Sequence, residues 1–235
     1  MLLVLWPRYL FAGCYGNGTM DIMGEPKIQT WLKRIQQAGC TCRKITPVHI
    51  LNKRNGEFLF GLFTTSVTDD EGRELLPYLL IRGDACVVVP LLKNSGTAEE
   101  KFVMVLQRRI GNGHMSLEFP AGMLDRNVDT PKAVMISELH EETGITVSEE
   151  ALIPLTDKPM YTSPGLHDEA IHLYACEIDM NDAEFKSLEG RLTGSRQEGE
   201  NIQVTLKSPQ EAKAQATSAQ VRLALFLFEE WRSAR

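Results

Sequence analysis

A chain of 235 residues with 43% hydrophobic and 24% charged side chains has the makeup of a folded globular protein, with room for one good core and a small appended module. A net charge of −6 argues against non-specific nucleic-acid binding, which needs a basic surface. The cysteines Cys14, Cys40, Cys42, Cys86 and Cys176 are irregularly spaced, and no Cys or His pair completes a zinc set with Cys40 and Cys42, so reduced thiols are expected.

Residues 1–25 carry Gly13, Gly16, Gly18 and Gly24 among apolar residues and read as an irregular arm. Its start, MLLVLWPRYLFAGC, is broken by Pro7 and Arg8, is too short to span a bilayer and lacks the basic n-region of a secretory signal. No membrane partner is expected. The expected location is the cytoplasm, with an organellar presequence as the alternative. Between Lys27 and Gln37, Ile28, Trp31, Leu32 and Ile35 recur at helical spacing. Glu57 to Thr68 predicts a strand, and the Asp69-Asp70-Glu71-Gly72 turn leads to a partner strand near Leu76 to Arg82. Trp31, Phe58, Phe60 and Phe63 are expected in a core or an interface, with stacking on an adenine as the rival role.

Asp84 to Leu92 and Lys101 to Arg109 read as core strands, and Ser116 to Phe119 as a short strand entering a tight turn at Pro120-Ala121-Gly122. Further on, Ile171 to Ile178 and Ile202 to Leu206 read as strands, and Asp182 to Leu188 and Val221 to Trp231 as helices. Strands bracketing a few helices, without regular βα repetition, predict an α+β fold.

The chemistry concentrates between Gly122 and Ile145. Glu138, Glu141 and Glu142 stand at i, i+3 and i+4, which places three carboxylates along one face of a helix. Such a row is self-repelling, and oxygen-only ligands suit a hard cation such as Mg²⁺. The helix has clear ends: Thr130 as cap, Pro131 in the first turn and Gly144 as a left-handed stop. A solvated acidic face is the bland alternative.

The segment resembles the Nudix box, with Gly122, Glu138, Leu139, Glu141, Glu142, Gly144 and Ile145 in place, Asp129 where the box has Glu, Ser137 where it has Arg, and one extra residue between Gly122 and Asp129. Glu118-Phe119-Pro120-Ala121-Gly122-Met123-Leu124 and Arg109 upstream are similar to ADP-sugar pyrophosphatases of that superfamily. The Tyr161-Thr162-Ser163-Pro164-Gly165-Leu166-His167-Asp168-Glu169 loop, Arg82-Gly83-Asp84-Ala85 and Gly199-Glu200-Asn201-Ile202 resemble its ADP-ribose subgroup.

The resemblance implies an α/β/α sandwich of mixed β-sheets with an N-terminal β module used for homodimer formation. It divides the chain into the arm (1–25), a helix and β module for dimerisation (26–82) and the hydrolase domain (83–235). It also implies Mg²⁺-dependent hydrolysis of ADP-ribose or a related ADP-sugar to AMP and a sugar phosphate, with Mn²⁺ able to substitute. The Ala121 carbonyl, Glu138 and Glu142 would hold the metal, with Glu141 a further ligand or water activator. Glu169 would be the general base, with Asp168 its rival, and Arg109, Glu118 and Gly122 would face the substrate. Alternatives are another nucleoside-diphosphate sugar, of the GDP-mannose type, and a nucleotide-binding protein of weak or no activity. The box arginine normally orients a neighbouring glutamate, so Ser137 predicts a lower rate with metal binding intact. Arg126, Lys132 and Arg109 are candidates to replace its charge.

Overall fold

Residues 22–124, 130–194 and 201–235 are described by the computed structural model. After a single turn at Ile22–Gly24 come α1 (Pro26–Gln37), β1 (Thr41–Asn52), β2 (Phe58–Thr68) and β3 (Tyr78–Ile81). The three strands form an antiparallel sheet in chain order. Ile28 and Trp31 of α1 close over Phe58, Phe63, Val67 and Ile81, giving this unit its own apolar cluster. Trp31, Phe58 and Phe63 are therefore packing residues here, and Phe60 is half-buried.

β1 is not visible in the sequence pattern. It carries Arg43, Lys44 and Pro47, and its pairing with β2 shifts register at three places along its length. It is an edge strand, mostly exposed, where proline and charged residues are tolerated because one side needs no ladder partner.

The second sheet is built from β4 (Ala85–Asn94), β5 (Glu100–Arg108), β6 (Met115–Glu118), β7 (Ala121–Met123), β8 (Ile153–Pro154), β9 (Met160–Tyr161), β10 (Ala170–Met180), β11 (Leu192–Thr193) and β12 (Ile202–Lys207). The order is β11–β12–β5–β4–β10–β8, with β6 on β5, β7 on β4 and β9 on β10. β4 and β10 run parallel and the other pairs antiparallel, so the sheet is mixed. The helices are α2 (Pro131–Thr143), α3 (Asp182–Leu188), α4 (Pro209–Gln215) and α5 (Ala219–Ser233).

β4 is buried on both faces, and alternate residues serve different layers. Cys86, Val88 and Leu92 meet Val134, Met135 and Leu139 of α2 and Phe185 of α3. Val87, Val89 and Leu91 meet Ala212 of α4 and Leu225 and Phe228 of α5. The ring of Phe102 makes edge contacts with Phe119 and Phe228, at centroid distances of 5.6 and 5.2 Å. A mixed sheet between two helix layers is the expected α/β/α sandwich.

One local expectation changes. Ala121 and Gly122 are not in a tight turn but in strand β7, with Cys86 opposite Gly122 and Val87 opposite Ala121. β5 pairs with β4 only from Leu91 to Lys93, so the other half of that edge needs backbone partners, and β7 supplies them.

Candidate active site

α2 is set by its ends. The Thr130 hydroxyl accepts from Ala133 N at 3.2 Å, Pro131 starts the first turn, and Gly144 (φ +78°) closes the last with its N–H on His140 O. Buried Val134, Met135 and Leu139 fix the helix on the sheet, and this rotation brings Glu138 and Glu142 toward β7. Glu142 is buried and accepts from Ala121 N at 3.2 Å. The Glu138 carboxylate lies over Gly122, where a Cβ would overlap it. Gly122 is thus the box glycine for a packing reason: the missing side chain is the seat of a carboxylate. Burial pushes the Cys86 thiol, opposite Gly122, up to about 12, with the charges of Asp84 and Glu138 adding to the effect.

Glu141 is exposed, and its Oε1 accepts from the Ser137 hydroxyl at 2.7 Å. Among the described residues no three Asp, Glu, His or Cys side chains converge on one ion position. The donor set nevertheless suits a hard cation: two carboxylates meet consecutive residues of one strand, and carboxylate oxygens are hard ligands. Asp129 and Arg126 lie outside the described residues. Lys132 is engaged with Glu149 O at 3.0 Å, and His140, exposed, faces Thr146.

Arg109 and Glu118 are joined to each other. The guanidinium donates from Nε at 3.0 Å and Nη2 at 2.6 Å, and Gln107 Nε2 approaches the same carboxylate at 3.4 Å. β6 carries Glu118 two residues before Pro120, so the pair stands beside the approach to β7.

Glu169 reaches the same end of the sheet from the other side. Ala85 of β4 lies opposite Met123 of β7 and opposite Ile171 of β10, so those two residues are separated by two strand spacings, about 10 Å. Glu169 is buried, pairs with Arg82 Nε at 3.1 Å and accepts from the Thr162 hydroxyl at 3.0 Å. Asp168 is also buried and accepts from Arg82 N and Gly83 N. Burial raises the Asp168 carboxyl above the usual range, and those two amides offset it in part. Asp168 therefore serves the backbone, which leaves Glu169 the better placed of the two for chemistry. Arg82 and Thr162, which hold Glu169, both lie in stretches that carry the family resemblance, but that resemblance assigned neither of them a role. The arrangement provides a carboxylate pair fit for a cation on one side of β4, a further carboxylate on the other and an arginine pair nearby.

A family model described as NUDIX domain matches residues 82–224. Over 235 aligned positions the chain is 27% identical to "Nudix hydrolase 14, chloroplastic" of Arabidopsis thaliana, covering 93% of this chain and 74% of that protein. It is 33% identical over 143 positions to "ADP-ribose pyrophosphatase" of Haemophilus influenzae, covering 57% and 58%. The protein of that name from Bacillus subtilis is 37% identical over 81 positions, covering 34% and 41%; the match spans less than two thirds of either bacterial protein. The solved structure "Crystal structure of ADP compounds hydrolase" superposes with a TM-score of 0.58 at 17% identity, covering 83% of this chain and 95% of that one, and so shares its fold. With more than half of its length matched, and with Glu138 and Glu142 docked on Ala121–Gly122, the chain belongs to the NUDIX domain family of hydrolases.

Proposed function

We propose that this protein hydrolyses the pyrophosphate bond of ADP-ribose or a related ADP-sugar, releasing AMP and a sugar phosphate, with Mg²⁺ as the natural cation. The carrying observation is the seating of Glu138 over Gly122 beside the Glu142 contact to Ala121 N. The names of the two bacterial relatives support the substrate class. Ala121 O, Glu138 and Glu142 would hold the cation, with Glu141 beside them. Bound there, the ion would neutralise charge on the phosphoryl oxygens. Glu169 takes a proton from the attacking water as its oxygen bonds to phosphorus and the bridging P–O bond breaks. The Arg109–Glu118 pair places a guanidinium for a phosphate oxygen.

The test is AMP release from ADP-ribose, ADP-glucose, GDP-mannose and UDP-glucose with Mg²⁺, resolved by chromatography, with Glu142→Gln as control. AMP from the ADP-sugars alone, lost in the variant, is expected. Turnover of GDP-mannose alone would move the substrate class, and no turnover at all would favour a binding role.

The module of residues 26–82 is proposed as the homodimer contact, since Val48 and Leu51 are exposed on edge strand β1. Light scattering after size exclusion decides it, and a monomer at micromolar concentration overturns it. No helix among the described residues is long and apolar enough to cross a membrane. The proposed location is the cytoplasm, and the Arabidopsis name makes an organelle the alternative. Imaging a full-length fluorescent fusion separates the two.

A further inference from the structure

The loop carrying Glu169 is held from the first sheet and α1 rather than from the helix that bears Glu138. Leu80 of β3 donates to Leu166 O at 2.9 Å and accepts from Asp168 N at 3.3 Å, forming a parallel bridge at His167. Gly83, which donates to Asp168, stands at φ +80° with the stem of Lys27 of α1 against it; a Cβ there would press on that stem. Two turns further along α1 comes Arg34. Its two terminal nitrogens both pair with the Asp84 carboxylate, Nη1 at 2.9 Å, and Nη1 also reaches Asp168 O at 3.4 Å. Asp84 in turn accepts from Ala170 N at 3.3 Å, with His172 Nε2 at 3.6 Å. The Arg34–Asp84 pair therefore contacts the residue before Glu169 and the residue after it.

We propose that Arg34 is a positioning residue for the reaction, fixing the backbone on both sides of Glu169, directly at Asp168 O and through Asp84 at Ala170 N. Its side-chain hydrogen bonds go to Asp84 and to Asp168 O, so it acts through the residues that flank Glu169. A base must come within hydrogen-bond reach of its water, and a misplacement of about 1 Å can cost of the order of a hundredfold in rate. Arg34 suits this task because its planar fork engages both carboxylate oxygens, which an ammonium group does not do. The network also gives α1, outside the matched NUDIX residues, a direct hold on the turnover step. This inference rests on the reading of Glu169 as the proton acceptor.

The experiment compares wild type, Arg34→Ala, Arg34→Lys and, as control in the same module, Arg73→Ala, which removes only exposed pairs at the β2–β3 turn. Amide hydrogen exchange over residues 162–170 is read beside kcat and KM for ADP-ribose. Arg34→Ala is expected to speed loop exchange and lower kcat by about tenfold or more, with KM within about twofold. The centre of β4 keeps its protection, Arg34→Lys recovers part of both losses and Arg73→Ala behaves as wild type. Unchanged loop exchange in Arg34→Ala overturns the positioning role. A uniform loss of protection across β4 and the loop also overturns it, because Arg34 would then serve general stability. Absence of turnover in the wild type overturns the functional reading instead, and the exchange result still decides whether Arg34 holds the loop.

Discussion

The Ser137 hydroxyl donates to Glu141 Oε1 at 2.7 Å, one helical turn away on α2. In this chain a short neutral donor thus stands where the box pattern has an arginine, and it still meets the neighbouring glutamate. Lys132 donates to Glu149 O, and Arg109 pairs with Glu118. Only the acceptor of the Ser137–Glu141 bond is charged, so it lacks the ion pairing an arginine would add, and at an exposed site it contributes about 1 kcal/mol. Ser137→Ala is expected to lower kcat by about threefold to fivefold. Ser137→Arg is expected to raise it above wild type with metal affinity unchanged. Steady-state kinetics with Mn²⁺ titrations checks both, and a kcat for Ser137→Arg at or below wild type would refute the account.

Gly122 makes a second, sharper expectation. A Cβ at this position overlaps the end of the Glu138 side chain, which can swing aside, so Gly122→Ala should fold with a stability change within about 1 kcal/mol. The displaced carboxylate no longer faces the Ala121 region. Mn²⁺ affinity and kcat should each fall by about tenfold or more. Isothermal titration and thermal melts measured together separate loss of the site from loss of the fold; a variant with full metal affinity would show that Glu138 is not a ligand.

Much of this was readable in the chain because it depends on local rules. Thr130, Pro131 and Gly144 bound α2 as capping chemistry requires, and the runs read as strands at Asp84 to Leu92 and Lys101 to Arg109 are the central strands Ala85–Asn94 and Glu100–Arg108. β1 was not readable: Arg43, Lys44 and Pro47 hide a strand whose only requirement is one paired edge. The capping box at Ser208 and Glu211, with Pro209 in the first turn, was a legible signal for α4 that a search for apolar periodicity passes over. In the site, the carboxylate row was legible as spacing. Seating Glu138 on Gly122 and Glu142 on Ala121 N depends on β7 filling the free half of the β4 edge, which is a tertiary fact. Arg34, Asp84 and Glu169 come together from three distant segments, and no periodicity links them.

Asp84 gives a pH dependence. Burial raises its pKa, but hydrogen bonds from His172 and Arg34, with the Arg34 charge, outweigh burial and hold it below the ordinary 3.8. A depressed folded pKa adds stability that is complete above the unfolded value and is lost as pH falls through the folded one. Asp84→Asn, which does not titrate, should be less stable than wild type by about 2 kcal/mol at pH 7. The gap should narrow steadily below about pH 4. Urea denaturation of both proteins at pH 7 and pH 3 tests this, and a gap independent of pH would mean that Arg34 contributes nothing through charge.

Arg109 and Glu118 can be separated by a double-mutant cycle. Their bidentate contact, with Glu118 mostly buried and Arg109 half-exposed, holds the guanidinium in one orientation. If Glu118 acts only by aiming Arg109, removing Arg109 removes the whole effect. Arg109→Ala should raise KM for ADP-ribose by about tenfold, and Glu118→Gln by about threefold. The double variant should then match Arg109→Ala, a coupling that independent sites do not show. A double variant whose KM multiplies the two single effects would instead give Glu118 its own contact with the substrate.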